Sequence, residues 1–209
     1  MDKRIARTRI GTVMILAGVL VILAAGGLYL HIRMEERQAG ESAAEVTDLL
    51  LNMAQDAPRP EPGSPEGTEG AEEGITPEGE VTAVIDGETY LGALSFTGYG
   101  LELPVLAQWD FEALRQAPAV YAGSVAGNDL VIAAHNYRSH FSVLNRMVVG
   151  NEVVLTDPAG HAIRYVVRKI EVLQPTAIEE MTAGEWDLTL FTCTYGGKTR
   201  QTLRCERMT

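Results

Sequence analysis

A series of short, β-rich segments after residue 80 is the feature that most constrains the fold of this chain. Eight such segments are separated by turn-forming residues, at 81–85, 90–96, 101–106, 130–134, 152–156, 161–172, 187–192 and 201–205. Many short strands with few helices between them are typical of a β-sandwich or a β-barrel. Two short helices are also predicted, at 110–116 with Asp110 as the N-cap and at 141–147.

Residues 10–30 form an uncharged, apolar run near the amino terminus. Its 21 residues are enough to cross about 30 Å of hydrocarbon as a helix. The run continues past the small residues at 24–27, so we predict an uncleaved transmembrane helix at 10–31 rather than a cleaved signal peptide. Segment 1–9 is basic, which predicts a cytoplasmic amino terminus and an extracellular remainder.

Residues 32–80 are predicted to be an extracellular stalk. Its part at 57–80 contains five Pro, five Gly and seven Glu, a composition that favours a disordered spacer. Before it, Val46, Leu49, Leu50 and Met53 recur at helical spacing. They indicate either a short amphipathic helix near the membrane or a partly ordered stalk that packs on nothing. We therefore expect the remaining domain, 81–209, to fold without the first 80 residues.

The charge distribution excludes one class of function. Residues 1–80 carry 7 basic against 14 acidic side chains, and residues 81–209 carry 10 against 14. Binding to nucleic acid needs a basic surface, which this composition does not supply. The two cysteines are also too few for a disulfide framework.

The segment 188–204, LTLFTCTYGGKTRQTLR, carries the most distinctive chemistry. Its alternating residues predict a strand that ends at Cys193, and Gly196-Gly197 predicts a turn into a second strand. The resulting hairpin returns Arg200 towards Cys193, and a thiol near a fixed cation can be held as the nucleophilic thiolate. Cys205 would lie about 16 Å further along, at about 3.3 Å per residue, and on the opposite face. We therefore expect a buried, small apolar role for Cys205 and no disulfide with Cys193.

Histidines give the second candidate group. His135 ends an apolar run and precedes polar residues, which indicates a strand tip open to solvent, whereas His140 is interpreted as a surface residue. These histidines and the two cysteines do not have the paired spacings typical of zinc ligands. We therefore expect no metal site and no other cofactor.

Two blocks of the sequence resemble the sortases, cysteine transpeptidases of Gram-positive cell surfaces. The sortase signature TLxTC, followed by an arginine on the next strand, is matched by Thr189, Leu190, Thr192 and Cys193. The block VIAAHNYRSHFSVL at 131–144 is similar to the family's histidine block. The resemblance covers about 81–209 and implies a closed β-barrel of about eight strands with short helices.

The resemblance also implies roles for individual residues. Cys193 would be the nucleophile and His135 the acid and base. Arg200, which opens the final strand, would hold the substrate and stabilise the oxyanion, with Arg204 on the same strand face as the alternative. The loop 174–185 would form one wall of the substrate groove, so the residues expected to bind substrate are Thr192, Pro175 and Glu179.

The implied substrates are secreted proteins with a C-terminal LPxTG-like sorting signal. The acceptor would be a cell-wall amine such as that of a peptidoglycan precursor. Two alternatives stay open: a sortase that polymerises pilins, and a catalytically silent, surface-anchored β-domain used for binding. Pilin sortases often carry an Asp-Pro-Trp or Asp-Pro-Phe lid motif, and 57–80 contains neither, which favours wall anchoring over pilin assembly.

Overall fold

The structure, a computed structural model, describes residues 2–57, 72–75 and 79–208. The chain divides into two compact units, Met1–Gln38 and Ala39–Thr209. Helix α1 (Asp2–Asp56) begins in the first unit and ends in the second. The remaining helices are α2 (Ala113–Gln116), a 3-10 helix (Phe141–Asn145) and α3 (Ile178–Thr182). The strands are β1 (Glu72–Ile75), β2 (Val81–Ile85), β3 (Glu88–Phe96), β4 (Leu101–Leu106), β5 (Ala119–Ala122), β6 (Leu130–Ala134), β7 (Glu152–Thr156), β8 (Ala162–Leu173), β9 (Leu188–Cys193) and β10 (Arg200–Arg207).

Eight of these strands close into a barrel. Their order is β3-β4-β5-β6-β9-β10-β8-β7, and β7 pairs back with β3 to complete the ring. The β4–β5 and β6–β9 pairs are parallel, whereas the other pairs of the ring are antiparallel. β2 and then β1 extend the sheet beyond β3. The predicted closed barrel of about eight strands with short helices is confirmed.

The predicted strands match observed ones to within a few residues, but β5 and β1 were not predicted. β5 has the sequence AVYA, which is too short for its alternation to stand out between Pro118 and Gly123. The first predicted helix is shorter than expected, since α2 begins at Ala113. Asp110 Oδ1 still accepts hydrogen bonds at its start, from the amides of Glu112 (2.8 Å) and Ala113 (2.7 Å). The helix predicted at 141–147 is observed as the 3-10 helix (Phe141–Asn145).

Alternate residues of the strands point into the barrel and form its core. Phe96 meets Phe141 of the 3-10 helix edge to face, with ring centroids 5.8 Å apart. On the three strands that matter most below, the inward residues are Leu130, Ile132 and Ala134 of β6, Leu188 and Leu190 of β9, and Leu203 and Cys205 of β10. The opposite residues of these strands therefore face the outside of the barrel.

The end of α1 packs on the barrel in the second unit. Leu50 is only 1% exposed and belongs to a cluster with residues of β2 to β5 and α2. Gly160 approaches the same helix so closely that an added Cβ would lie 2.5 Å from the carbonyl oxygen of Ala54. Of the two interpretations of the segment before 57, the structure shows the amphipathic helix. The expectation that nothing before residue 81 contributes core therefore does not hold for residues 39–56.

The predicted spacer lies mostly outside the described residues. Segments 58–71 and 76–78 are not described, and the short stretch between them forms β1, which pairs with β2. The domain boundaries given above for 32–80 and 81–209 therefore stay predictions. At the amino terminus, α1 contains an apolar stretch with mean hydropathy 2.3, long enough to be a candidate membrane span. By length and composition it agrees with the predicted helix at 10–31.

Candidate active site

Three strands present three rows of side chains on one outer face of the barrel. β6 runs parallel to β9, with Val131 opposite Thr189 and Ala133 opposite Phe191. β10 runs antiparallel to β9, so that Arg200, Thr202 and Arg204 lie opposite Cys193, Phe191 and Thr189. His135 follows Ala134, whose partner is Thr192, so extending the parallel register by one residue places His135 beside Cys193, and both line one cavity. The first row is therefore His135, Cys193 and Arg200, the second is Ala133, Phe191 and Thr202, and the third is Val131, Thr189 and Arg204.

The first row brings together the three side chains that the sequence singled out. Neighbouring strands lie about 4.8 Å apart, so Cys193 has His135 on one side and Arg200 on the other. The predicted hairpin register is confirmed, since Arg200 pairs with Cys193. Thr192 lies directly before the cysteine and is buried, and its hydroxyl donates a 2.7 Å hydrogen bond to the carbonyl of Ala134. This bond ties β9 to β6 one residue before the candidate catalytic pair.

The turn between Cys193 and Arg200 is closed by its own hydrogen bonds. The amide of Thr194 donates to the carbonyl of Thr199 (2.9 Å), and the two threonine hydroxyls lie 2.7 Å apart. Gly196 and Gly197 have φ angles of 80° and 71°, which glycine adopts without steric cost. The turn therefore fixes the return of β10.

The guanidinium of Arg200 is half-buried and, among the residues that the structure describes, bonds to its own turn. Its Nη1 donates to the carbonyls of Gly197 and Thr199, both at 3.2 Å. An arginine has five N–H donors, so this geometry leaves others able to bind an incoming group. Lys198 and Tyr195 in the same turn are exposed, as expected for solvated turn residues.

A cavity of about 270 Å³ opens beside the first row. It is lined by all three of its residues together with Pro175, Ala177, Ile178 and Met181 from the segment around α3. Aromatic side chains line another part: Trp109, Phe111, Tyr121 and Phe191. Their rings contact each other in sequence, at centroid distances of 5.7 Å (Trp109–Phe111), 5.2 Å (Trp109–Tyr121) and 5.3 Å (Tyr121–Phe191). The cavity is thus largely apolar, with a thiol, an imidazole and a guanidinium at one side.

His135 lies in a partly desolvated position. Burial lowers its pKa, and the positive charge of Arg115 on α2 lowers it further. Its ring stacks on Tyr137 with centroids 4.9 Å apart and an angle of 22° between the rings. The stacking restricts the orientation of the imidazole, and the lowered pKa makes its protonated form a stronger acid.

The residues predicted to bind substrate occupy different positions. Pro175 lines the cavity, as expected for the loop before the cysteine strand. Thr192 is buried beneath the site, where its hydroxyl joins two strands. Glu179 is exposed on α3 and is not among the lining residues, whereas its neighbours Ile178 and Met181 are.

The interpretation of His140 as a surface residue needs correction. His140 is fully buried, not a surface residue, because it lies between β6 and the 3-10 helix and its ring contacts Tyr137 at 5.4 Å. Arg204, considered as an alternative to Arg200, is also buried and is engaged by four acceptors in the third row. Its guanidinium is therefore committed to the protein itself.

The two thiols differ as the sequence predicted. Cys193 is half-buried at the cavity, and Cys205 is fully buried in the barrel core, where it pairs across the hairpin with Leu188. Burial raises the pKa of Cys205 to about 12. Both are free thiols. Among the described residues, no three His, Cys, Asp or Glu side chains are grouped to hold a metal ion.

The aromatic wall is the part of the site that the sequence interpretation missed. Phe191 has the same parity as Cys193 in the alternating strand, so its position facing the cavity follows from the pattern. Trp109 and Phe111 carried a weaker signal, as exposed aromatic residues beside the N-cap of α2. Their approach to Tyr121 depends on the unpredicted strand β5.

Comparison with known proteins places this barrel in a family. A family model described as "Sortase domain" matches residues 94–207, more than half of the chain. The chain belongs to the sortase family. No curated protein sequence matches it significantly.

Several solved sortase structures share the fold of this sortase. Sortase A from Corynebacterium diphtheriae is 22% identical, with a TM-score of 0.51, over 56% of this chain and 60% of that chain. A Clostridium perfringens sortase D5 transpeptidase is 17% identical, with a TM-score of 0.50, over 56% and 78% respectively. Sortase C1 from Streptococcus agalactiae is 21% identical, with a TM-score of 0.50, over 60% and 70%. The alignment thus spans about 60% of the length of the Corynebacterium enzyme, and these similarities show the fold alone.

Proposed function

We propose that this protein is a membrane-anchored cysteine transpeptidase that cleaves a sorting signal on secreted proteins and transfers the acyl part to an amine. The observation that carries the proposal is the first row of the outer face, where His135, Cys193 and Arg200 lie side by side at an open cavity. Membership in the sortase family supports the same class of reaction.

With the one proton that the Cys193 thiol and the His135 imidazole share held on the imidazole, the Cys193 sulfur attacks a backbone carbonyl carbon of the sorting signal. The carbonyl oxygen becomes an oxyanion, and the free N–H donors of Arg200 on the adjacent strand stabilise it. The C–N bond then breaks, and His135 gives its proton to the leaving amine. The product is a thioester between Cys193 and the acyl part of the substrate.

The second half of the reaction restores the thiol. The acceptor amine attacks the thioester carbonyl, His135 takes a proton from the amine, and the C–S bond breaks as the new amide forms. No water is consumed, because one amide replaces another. The lowered pKa of His135 helps the first proton transfer, since burial and Arg115 make the imidazolium a better donor.

The cavity composition fits a peptide substrate. Its aromatic and aliphatic lining, from Trp109 round to Met181, suits apolar side chains of an extended LPxTG-like segment. The thiol, imidazole and guanidinium lie at one side, next to where a scissile carbonyl would sit. We assign Pro175 to this groove and keep Glu179 and Thr192 as proposed contributors, with Thr192 acting through its bond to Ala134.

The proposed location follows from the apolar part of α1. A candidate span at the amino terminus, preceded by the basic segment 1–9, supports a single-pass protein with its amino terminus in the cytoplasm and its barrel outside a Gram-positive cell. The acceptor would then be an amine of the cell wall. Absence of a lid motif from 57–80 supports anchoring rather than pilin assembly.

The test is detection of the acyl-enzyme. The full chain in detergent is incubated with a library of sorting peptides and examined by intact-protein mass spectrometry. We expect an adduct with the mass of the acyl fragment, released by hydroxylamine, and its complete absence in Cys193→Ala. His135→Ala should turn over ~10²- to 10⁴-fold more slowly, the range typical of general acid–base catalysis.

Cys205→Ala is the matched control, because it removes the other thiol without touching the cavity. It should retain the adduct. If Cys193→Ala still forms an acyl-enzyme, the assignment of the nucleophile is wrong. If the wild-type protein forms no adduct with any peptide yet binds one, the catalytically silent binding domain replaces the transpeptidase.

A further inference from the structure

Arg204 in the third row has an unusually complete set of partners for an arginine on the outside of a barrel. Its side chain is 3% exposed. Nε donates to Glu171 Oε1 (2.8 Å), and Nη1 donates to Thr189 Oγ1 (2.9 Å) and the carbonyl of Met181 (3.0 Å). Nη2 donates to the carbonyl of Glu180 (2.6 Å). Two of the four acceptors are thus side chains on neighbouring strands, and two are backbone carbonyls of α3.

Those two carbonyls lie near the end of a helix that is too short to be stable alone. α3 has five residues, and isolated helices of this length do not persist in water. The last carbonyls of a helix have no partner within it, and a basic side chain near the end can supply one. Arg204, on strand β10, bonds to these carbonyls. Thr202 of the same strand adds a contact from its hydroxyl to the sulfur of Met181 (3.9 Å).

The same short helix forms one wall of the catalytic cavity. Ala177, Ile178 and Met181 line the cavity together with the aromatic wall. Met181 is buried against the barrel, whereas Ile178 is more than half exposed. The wall is therefore anchored at its carboxyl end, through Met181 and the two carbonyls that Arg204 holds.

We propose that Arg204 is a positioning residue, which fixes the α3 wall of the catalytic cavity through the carbonyls of Glu180 and Met181 and so sets the affinity for the sorting peptide. The inference rests on the proposed function, because it assumes that the peptide binds in this cavity. Arg204 does not touch the reacting atoms. Its effect is expected in substrate binding, since a wall that moves loses contacts made equally by the bound substrate and the transition state.

The decisive variant is Arg204→Lys in the full chain. Lysine keeps the positive charge, but a single ammonium cannot reproduce the planar fork that reaches strand side chains and helix carbonyls together. We expect KM for the peptide to rise ~10-fold or more with kcat little changed. A displacement of about 1 Å at a binding wall is enough for an effect of up to ~10²-fold.

Arg168→Lys is the matched control. Arg168 forms a cross-strand pair with Glu206 at 2.8 Å, but both side chains are about half exposed and the pair lies outside the cavity. We expect no change in KM from this variant. Alkylation of Cys193 by a small reagent should proceed at the wild-type rate in both variants, because that reaction does not need the wall.

Amide hydrogen exchange provides a readout independent of turnover. The amides of residues 178–183 should exchange at least several-fold faster in Arg204→Lys than in wild type, and those of the barrel strands should not. Thr189→Val removes one side-chain acceptor of Arg204, and Glu171→Gln removes the negative charge of another, but both leave the two helix carbonyls bonded. Both should therefore keep the exchange of 178–183 close to wild type.

Each outcome decides the proposal. An unchanged KM together with unchanged exchange in Arg204→Lys would overturn it. So would global unfolding of Arg204→Lys by circular dichroism, because Arg204 would then support the whole barrel rather than this wall. If wild type does not cleave any peptide, the proposed function fails, and the exchange of 178–183 still decides whether Arg204 holds the wall.

Discussion

The first and third rows of the outer face lie on the same three strands and each contains an arginine of β10, but the two arginines have different surroundings. Each row crosses β6, β9 and β10, and each ends in an arginine of β10. In the first row, Arg200 lines an open cavity and, within the described part of the chain, bonds to its own turn. In the third row, Arg204 is buried beneath α3 and meets four acceptors.

The two rows differ in the structural elements that surround them. The first row lies at the strand ends, where β6 and β9 stop and its side chains line the cavity. The third row lies four residues further into each strand, and its Arg204 bonds to two carbonyls of α3. An arginine becomes available to a substrate only where the protein leaves its donors unused, and strand position alone does not decide that. On the function proposed above, the two rows would divide one sheet face into a reactive part and a supporting part.

The largest expected contrast concerns the two thiols of the hairpin. At pH 8, Cys193 should be alkylated by iodoacetamide in the native full chain, while Cys205 should remain unmodified until denaturant is added. The thiolate is the reactive form, and a thiol with the pKa of about 12 that burial gives Cys205 has roughly one part in 10⁴ as thiolate at that pH. Peptide mapping by mass spectrometry measures both. Equal native labelling would show that the inward and outward faces of the hairpin are misassigned.

A smaller effect is expected at the arginine of the first row. Arg200→Lys keeps the charge but loses the planar fork, so kcat should fall by ~10²-fold, the loss typical of one oxyanion donor. The change should appear in kcat, in contrast to the KM effect expected for Arg204→Lys. Steady-state kinetics with a fluorogenic sorting peptide separates the two. If the two variants show the same pattern, the distinction between the rows is wrong.

The smallest effect concerns His135, the proposed acid of the first row. The positive charge of Arg115 lowers the pKa of His135, so Arg115→Ala should raise that pKa. Activity that needs the imidazolium is lost as pH rises through the His135 pKa, so this loss should move to higher pH in the variant. The pH profile of kcat/KM measures the shift. A shift to lower pH, or none, would contradict the assignment of this high-pH loss of activity to His135.

Much of the site was predictable because it depends on local pattern. Alternation and the Gly196-Gly197 turn predicted the hairpin, its register and the opposite faces of Cys193 and Cys205, all of which the structure confirms. His135 was predicted at a strand tip for the same reason, since an apolar run gives way to polar residues there. These features follow from the period-two geometry of a strand and need no knowledge of distant contacts.

Other features depended on packing between segments far apart in sequence. The burial of Leu50 needs β2 to β5 beside α1, and that of His140 accompanies the packing of the adjacent 3-10 helix into the barrel core. The weak strand β5 forms because β4 and β6 lie on either side of it. None of these neighbours can be read from local periodicity, which reports only that a segment has an apolar face and not what will cover it.

The sequence by itself determined seven of the eight strands of the barrel, the hairpin that pairs Cys193 with Arg200, and the family that the TLxTC block indicates. Only the tertiary structure decided which of two similar arginines is free to meet a substrate, and that the end of α1 belongs to the core. The physical reason is that strand periodicity fixes the face on which a side chain emerges, whereas its exposure and hydrogen-bond partners depend on segments brought there by the closed barrel. Arg200 and Arg204 share a strand and a face, and the position of α3 alone separates their roles.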